Sequence, residues 1–168
     1  MHNDKVIYDT ADKLLSTLTN NLVPTNLNLI AKKLNIELLP LQEMDENNLL
    51  GVARFDGERR IINYRSSENA TRKRFIVAHE IAHHVLGHVK SDGVKNLEDT
   101  LSNFEPSVLD YQENEANKFA LAILIPKSKL DSYIYSEGIT KVAELSTRFN
   151  VSIKAMMYRL KHLGYSKW

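Results

Sequence analysis

The sequence contains no cysteine, which excludes disulfide bonds, thiol catalysis and thiolate metal ligands. It also has no run of about 18 apolar residues, so we expect no segment that crosses a membrane. The first residues, Met1 to Lys5, lack the basic and then apolar pattern of a secretory signal peptide. From these absences we expect a cytoplasmic protein without a membrane partner.

The composition is that of a globular domain. The chain has 168 residues, of which 43% are apolar and 26% are charged, which is enough for one ordinary hydrophobic core. The net charge of +1 hides an asymmetry, because residues 139–168 carry six basic side chains and one acidic side chain. A basic end of this kind occurs in DNA-binding segments and equally in solvated helices.

Hydrophobic periodicity predicts a helical start and then a small sheet. Two helices are predicted at residues 9–22 and 26–34, where apolar side chains recur at helical spacing. Three strands are predicted at residues 36–41, 49–55 and 59–64. The pair Asp56-Gly57 is a hairpin signal between the last two strands, so we expect a small three-stranded antiparallel sheet.

A longer helix is predicted at residues 68–88, and Ser66 or Ser67 can cap it. Its middle is apolar on nearly every side, which indicates a helix buried in the centre of the domain. Residues 90–110 lack periodicity and are predicted to form a long loop. Further helices are predicted at residues 111–125, 140–149 and 152–163. The fold class that follows is α+β.

The central helix contains the pattern His79-Glu80-Ile81-Ala82-His83, an H-E-x-x-H motif. On a helix, His79 and His83 are one turn apart and separated by about 40° around the axis, so both imidazoles can bind one ion. The composition predicts only about 0.015 chance occurrences of this pattern. We therefore expect a metal site with Glu80 as the general base beside a zinc-activated water.

A catalytic zinc needs a third protein ligand and one open position. Six acidic residues are candidates: Glu98, Asp99, Glu105, Asp110, Glu113 and Glu115. Glu113 is favoured because it shares a helix face with two small residues, Ala116 and Ala120, which allow close packing on the His79 helix. Asn117 lies on the same face and is predicted to accept the second ring N–H of a ligand histidine. Glu115 is expected to face solvent.

The other histidines are not expected to be metal ligands. His84 and His88 also have i, i+4 spacing, but they lie about 100° around the helix from the first pair. We interpret both as surface residues or as residues that support the ligands from behind. His2 and His162 have no partner that the sequence reveals.

The segment Arg72–His88 resembles the active-site helix of the ImmA/IrrE family of metallo-endopeptidases, and Glu113–Ala120, running on to Pro126, resembles that family's second motif. Two further stretches are similar, Leu27–Ile36 and Val142–Leu160. In the family, the acidic residue four positions before the asparagine is the third zinc ligand, and here that residue is Glu113. A departure is Ala82, where a glycine is common.

The resemblance implies a zincin-like domain at residues 1–138 and a helix-turn-helix-like subdomain at residues 139–168, packed on the same domain. It implies a peptidase that uses Zn²⁺, or another divalent metal, and cleaves a helix-turn-helix transcriptional repressor encoded by a phage or mobile element. We also expect the strand Leu49–Phe55 to lie at the sheet edge and to pair with extended substrate.

Two other functions stay open. The first is a DNA-binding regulator that uses residues 139–165, although the apolar residues of its second helix favour packing over DNA contact. Those residues are Ile153, Ala155, Met156, Met157 and Leu160. The second is an antitoxin-like partner that binds metal without cutting, which the intact Glu80 disfavours.

Overall fold

The computed structural model describes residues 2–19, 22–41, 49–90, 94–98 and 111–165. Three of the acidic ligand candidates, Asp99, Glu105 and Asp110, lie outside these ranges. In the part of the chain that is described, every helix is too short or too polar to cross a bilayer.

The helices are α1 (Asp4–Leu18), α2 (Leu27–Lys33), α3 (Ala70–Val85), α4 (Tyr111–Leu124), α5 (Lys127–Asp131), α6 (Val142–Phe149) and α7 (Ile153–His162), with a π-helical turn at Ser132–Ser136. The strands are β1 (Ile36–Pro40), β2 (Leu49–Asp56), β3 (Arg59–Tyr64) and β4 (Val94–Glu98).

The predicted α+β class is confirmed, but the prediction of three antiparallel strands is wrong in two respects. The sheet has the order β1-β3-β2-β4, with β4 formed inside the segment predicted to be a loop. β1 runs parallel to β3, whereas β2 is antiparallel to both of its neighbours. The sequence signals only the hairpin between β2 and β3, where Gly57 has a φ of 60°. The direction of β1 depends on its pairing with β3, where Ile36 lies opposite Arg60, and no short-range signal encodes this pairing.

The position of β2 corrects a further expectation. β2 lies between β3 and β4 and pairs with both, so its backbone is not at a sheet edge. Pairing of Leu49–Phe55 with an extended substrate is therefore excluded, because the hydrogen-bonding groups on both sides of the strand are already used.

Helix α3 begins one residue after Asn69, whose side-chain oxygen accepts the backbone N–H of Arg72 at 3.0 Å. The cap is thus Asn69 and not one of the predicted serines. Asparagine is among the strongest N-cap residues, so the shift changes the starting residue and leaves the helix intact. The apolar residues on nearly every side of this helix predict burial, and α3 is indeed buried from Phe75 to His84.

Helix α3 packs against the sheet on one side and against α4 on the other, and α1 covers α4. The C-terminal helices contribute to the same core through Leu145, Phe149, Met156 and Leu160, all of which are fully buried. The predicted packing face of α7 is partly wrong, since Ile153 and Met157 are 52% and 53% exposed. The division of the chain after residue 138 stays a prediction.

Candidate metal centre

The two histidines of the H-E-x-x-H motif lie on the face of α3 that packs against α4. Their side chains are 0% and 1% exposed for His79 and His83 respectively. The Nε2 atoms of the two rings are 3.0 Å apart. The helical spacing therefore brings both imidazoles to one point, as the sequence predicts.

Helix α4 brings Glu113 to the same point. Its Oε2 atom lies 2.9 Å from Nε2 of His79, and its Oε1 atom lies 3.3 Å from Nε2 of His83. Ala116 and Ala120 are fully buried on this helix, and their small side chains let α4 lie close to α3. Glu113 is 24% exposed, so solvent reaches the cluster from its side.

Asn117, one turn after Glu113, contacts the other nitrogen of His79. Its Oδ1 atom lies 2.9 Å from Nδ1 of His79, so this nitrogen carries the ring proton and donates it. The lone pair of Nε2 is then directed at His83 and Glu113. Asn117 thus lies where the sequence predicts a residue that orients a ligand.

The donor set fits a metal ion. The His79, His83 and Glu113 ligand atoms are 2.9–3.3 Å apart, close to the separation of about 3.3 Å between ligands bound at 2.0–2.1 Å in a tetrahedral zinc site. Two imidazoles and one carboxylate are also the ligands that catalytic zinc uses, leaving a fourth position for water or substrate. Lone pairs that converge in this way need a cation or a proton between them.

The protonation states of the cluster suit metal binding at neutral pH. Burial is the largest cause that lowers the pKa of His83, to about 4, so its ring is neutral. Burial raises the pKa of Glu113, but its short contacts with the His79 and His83 rings outweigh burial and hold the pKa below its usual range. A neutral imidazole and an ionised carboxylate are the forms that bind metal.

Glu80 is completely buried between α3 and β2, and among the described residues neither of its carboxylate oxygens has a hydrogen-bond partner of normal geometry. Burial raises its pKa well above the ordinary value, and the Glu113 carboxylate raises it further. The backbone of Ala53 opposes this rise with a smaller effect. An uncompensated buried carboxyl is costly, so its presence here indicates a functional role.

Gly51 on β2 makes room for this carboxyl, a role that the sequence does not reveal. A Cβ atom at Gly51 would lie 2.7 Å from Oε1 of Glu80 and 2.8 Å from Cγ2 of Ile76. Real Cβ contacts are not this short, so any side chain at this position displaces Glu80 or Ile76.

We expect Gly51→Ala to lower the free energy of unfolding by about 1–3 kcal/mol, the usual effect of overpacking a core. The peptide hydrolysis that the sequence predicts should fall as well, because the Glu80 carboxyl has to move. Urea unfolding and cleavage rates measure the two effects. Gly57→Asn is the control, since no atom of the described part of the chain lies within 4 Å of a Cβ there, and asparagine tolerates the left-handed backbone. Unchanged cleavage in Gly51→Ala would contradict this role.

Glu115 corrects the sequence analysis, because it is buried and does not face solvent. Its carboxylate contacts His2 at 2.7 Å and His88 at 3.1 Å. Burial raises its pKa, but hydrogen bonds from His2 and His88 outweigh burial and lower it. No sequence signal connects His2 with Glu115, which is 113 residues away. The packing of α1 on α4 brings them together.

The interpretation of His84 and His88 as surface residues is also wrong. Both are buried, since the whole residues His84 and His88 are only 7% and 8% exposed. His84 faces the sheet, where its Nε2 lies 3.2 Å from the carbonyl oxygen of Ile61 and its ring contacts the edge of Phe55. His88 contacts His83, so the second part of the interpretation, support from behind a ligand, fits its position.

The sequence matches a known family model over most of its length. Residues 31–161 match Peptidase_M78, described as the IrrE N-terminal-like domain. This range contains the whole sheet and both helices that carry the candidate ligands. The chain belongs to this IrrE-like peptidase family. The resemblance found in the sequence is thereby confirmed, and membership indicates a metallopeptidase-type domain.

The fold of this IrrE-like chain also resembles a solved structure, a Mycobacterium tuberculosis transcriptional regulator, with a TM-score of 0.63 and 12% sequence identity. The match covers 97% of this chain and 48% of the regulator, so the chain spans about half the length of that protein. At this identity the likeness shows a shared fold. A comparison with curated proteins found no match.

Proposed function

We propose that this chain is a zinc-dependent endopeptidase that hydrolyses a peptide bond in a helix-turn-helix transcriptional repressor. The observation that carries the proposal is the convergence of His79, His83 and Glu113 beside the buried carboxyl of Glu80. The family match supports peptidase chemistry. The repressor as substrate is supported by the resemblance of the sequence motifs to ImmA/IrrE proteins.

The metal would be held by Nε2 of His79, Nε2 of His83 and the carboxylate of Glu113. When bound, zinc acts as a Lewis acid that lowers the pKa of a water molecule to about 7 and so provides the nucleophile. Asn117 keeps His79 in the tautomer that leaves Nε2 free to bind. The side chain of Glu113 is 24% exposed, so the site is open to solvent on that side.

Glu80 would transfer the proton. A carboxylate oxygen of Glu80 accepts the proton from the attacking water and then donates it to the nitrogen of the leaving amine. A nearby cation favours the ionised carboxyl, which opposes the pKa rise caused by burial and by Glu113. Because Gly51 and Ile76 pack against this side chain, the carboxyl is held on the β2 side of α3.

The structure weakens the case for DNA binding by the C-terminal helices. Of the basic residues there, Arg159 is only 3% exposed and its Nε donates to the carbonyl of Ile125. Arg148 forms ion pairs with Glu137 and Glu144. The positive charge available to phosphates is therefore smaller than the sequence count indicates.

The test is cleavage of the helix-turn-helix repressor that the ImmA/IrrE resemblance places in a neighbouring gene. The purified chain, loaded with one equivalent of zinc, is mixed with that repressor, and fragments are identified by mass spectrometry. We expect one dominant cleavage, absent with chelator and absent with Glu80→Gln. An unrelated helix-turn-helix repressor is the control for specificity.

Other outcomes would contradict the proposal in distinct ways. A stable complex with an intact repressor would identify a binding partner that does not cut. Tight DNA binding that weakens steeply with salt, without proteolysis, would identify a DNA-binding regulator. Cleavage of a peptide library but not of the repressor would retain the peptidase and reject the substrate.

A further inference from the structure

His83 contacts His88 through the ring nitrogen that does not face Glu113. The two Nδ1 atoms are 3.0 Å apart, and the rings meet at 66° with centroids 5.1 Å apart. The side chain of His88 is 3% exposed, so water does not compete with this contact. Two ring nitrogens at this distance share one proton, so one of them donates and the other accepts.

The end of α3 places His88 beside His83. Gly87 has a φ of 72° and turns the chain back, so that the backbone N–H of His88 donates to the carbonyl of His83 at 2.9 Å. This is the long-range hydrogen bond of a Schellman helix end. Backbone and side chain of His88 therefore both contact His83, and the helix end itself determines where His88 lies.

The chain of contacts continues to a buried carboxylate. Nε2 of His88 lies 3.1 Å from Oε2 of Glu115, whose side chain is 7% exposed. His2 contacts the same carboxylate through its backbone N–H and through Nδ1. Since a carboxylate only accepts hydrogen bonds, Nε2 of His88 is the donor to Glu115.

His2, His88 and Glu115 also have the composition of a second metal site, because one ligand atom of each lies within 4.8 Å of the others. Proton positions oppose a second ion while the first site is filled. When His83 binds a metal through Nε2, its ring proton is on Nδ1 and points at His88. If His88 also bound a metal through Nε2, its proton would be on Nδ1 too. Two N–H donors would then face each other across 3.0 Å.

The opposite arrangement satisfies every group. Glu115 accepts the Nε2 proton of His88, Nδ1 of His88 accepts the Nδ1 proton of His83, and Nε2 of His83 keeps its lone pair for the metal. We propose that His88 and Glu115 are positioning residues, a hydrogen-bonded relay that holds His83 in its ligating tautomer and keeps the His2–His88–Glu115 cluster from binding a second ion. The inference rests on the metal centre of the proposed function, but not on its substrate.

An isosteric pair of variants tests the relay. In His88→Asn, the side-chain oxygen occupies nearly the place of Nδ1 and still accepts the proton of His83, whereas His88→Leu has the same shape and no acceptor. Competition with a chelator measures zinc affinity. We expect His88→Leu to weaken binding by about 10- to 100-fold, the usual effect of losing such a supporting group, and His88→Asn to recover most of it. Thermal unfolding of the metal-free variants is the control that tests whether both variants fold.

Equal zinc affinity in the leucine and asparagine variants would overturn the relay, because a merely space-filling role does not distinguish them. Zinc bound by wild type but no cleaved repressor would instead reject the proposed function and leave the relay standing. If wild type bound no zinc, the relay would fail together with the metal centre.

Two measurements on the wild-type protein need no variant. Long-range ¹H–¹⁵N NMR spectra of the zinc-loaded protein should show His88 protonated on Nε2 and His83 on Nδ1. Elemental analysis should give one equivalent of zinc. A proton on Nδ1 of His88, or two equivalents of zinc with the second lost in Glu115→Gln, would identify a second metal site and overturn the proposal.

Discussion

Replacing Glu80 by glutamine should abolish most peptide hydrolysis while the protein keeps its metal. Glutamine has the shape of glutamate but cannot accept the proton of the attacking water, and loss of a general base typically reduces the rate by about 10²–10⁴-fold. The fold should tolerate the change, because burial and Glu113 already raise the pKa of Glu80 and favour its neutral form. The measurements are kcat/KM on a peptide or repressor substrate and zinc content by elemental analysis.

The control for Glu80→Gln is Glu37→Gln, which makes the same chemical change at an exposed position on β1. It should leave hydrolysis and zinc content at wild-type values. Cleavage by Glu80→Gln at the wild-type rate would show that another group takes the proton. Loss of zinc in Glu80→Gln would show instead that the carboxylate helps to hold the ion.

Removing a ligand should have the opposite signature, with loss of the metal itself. In His83→Ala or Glu113→Ala, two ligands are left where three converge, so zinc affinity should fall by more than the ~10- to 100-fold that follows loss of a supporting residue. Zinc at 100 times its Kd stabilises a protein by about 2.7 kcal/mol, and the variants should lose this stabilisation. Unfolding curves with and without zinc measure it.

His162→Ala is the matched control for the ligand variants, since His162 is exposed on α7. It should bind one equivalent of zinc and show the full stabilisation. The unfolding curve of metal-free His83→Ala separates the effect of losing the metal from that of removing a buried side chain. Undiminished zinc affinity in His83→Ala would place the metal elsewhere.

The sequence predicts the parts of the site that depend on helical spacing. His79 and His83 converge because a helix repeats every 3.6 residues, and Glu113 and Asn117 share a face for the same reason. Contacts within one helix, or between two strongly patterned helices, follow from local rules. The roles of these residues as ligands, and of Glu80 as base, stay predictions that the variants above test.

Contacts between distant segments cannot be predicted from local sequence patterns. From the sequence, Glu115 is expected to face solvent, but the packing of α1 on α4 buries it under His2. The steric need for Gly51 likewise arises only where β2 crosses α3. The register and direction of β1 and β4 depend on pairing across long intervals of chain, which periodicity within a window does not report.

The amino-acid sequence by itself determined the family, the α+β class and the central helix, and it named His79, His83 and Glu113 as candidate metal ligands. These depend on residue identity and short-range spacing, which are properties of the chain. Only the tertiary structure decided that the sheet is mixed, that β2 is internal, and that Glu115 and His88 lie behind His83. Burial and proton sharing are properties of packed surfaces, and they exist only once distant segments exclude water from one another.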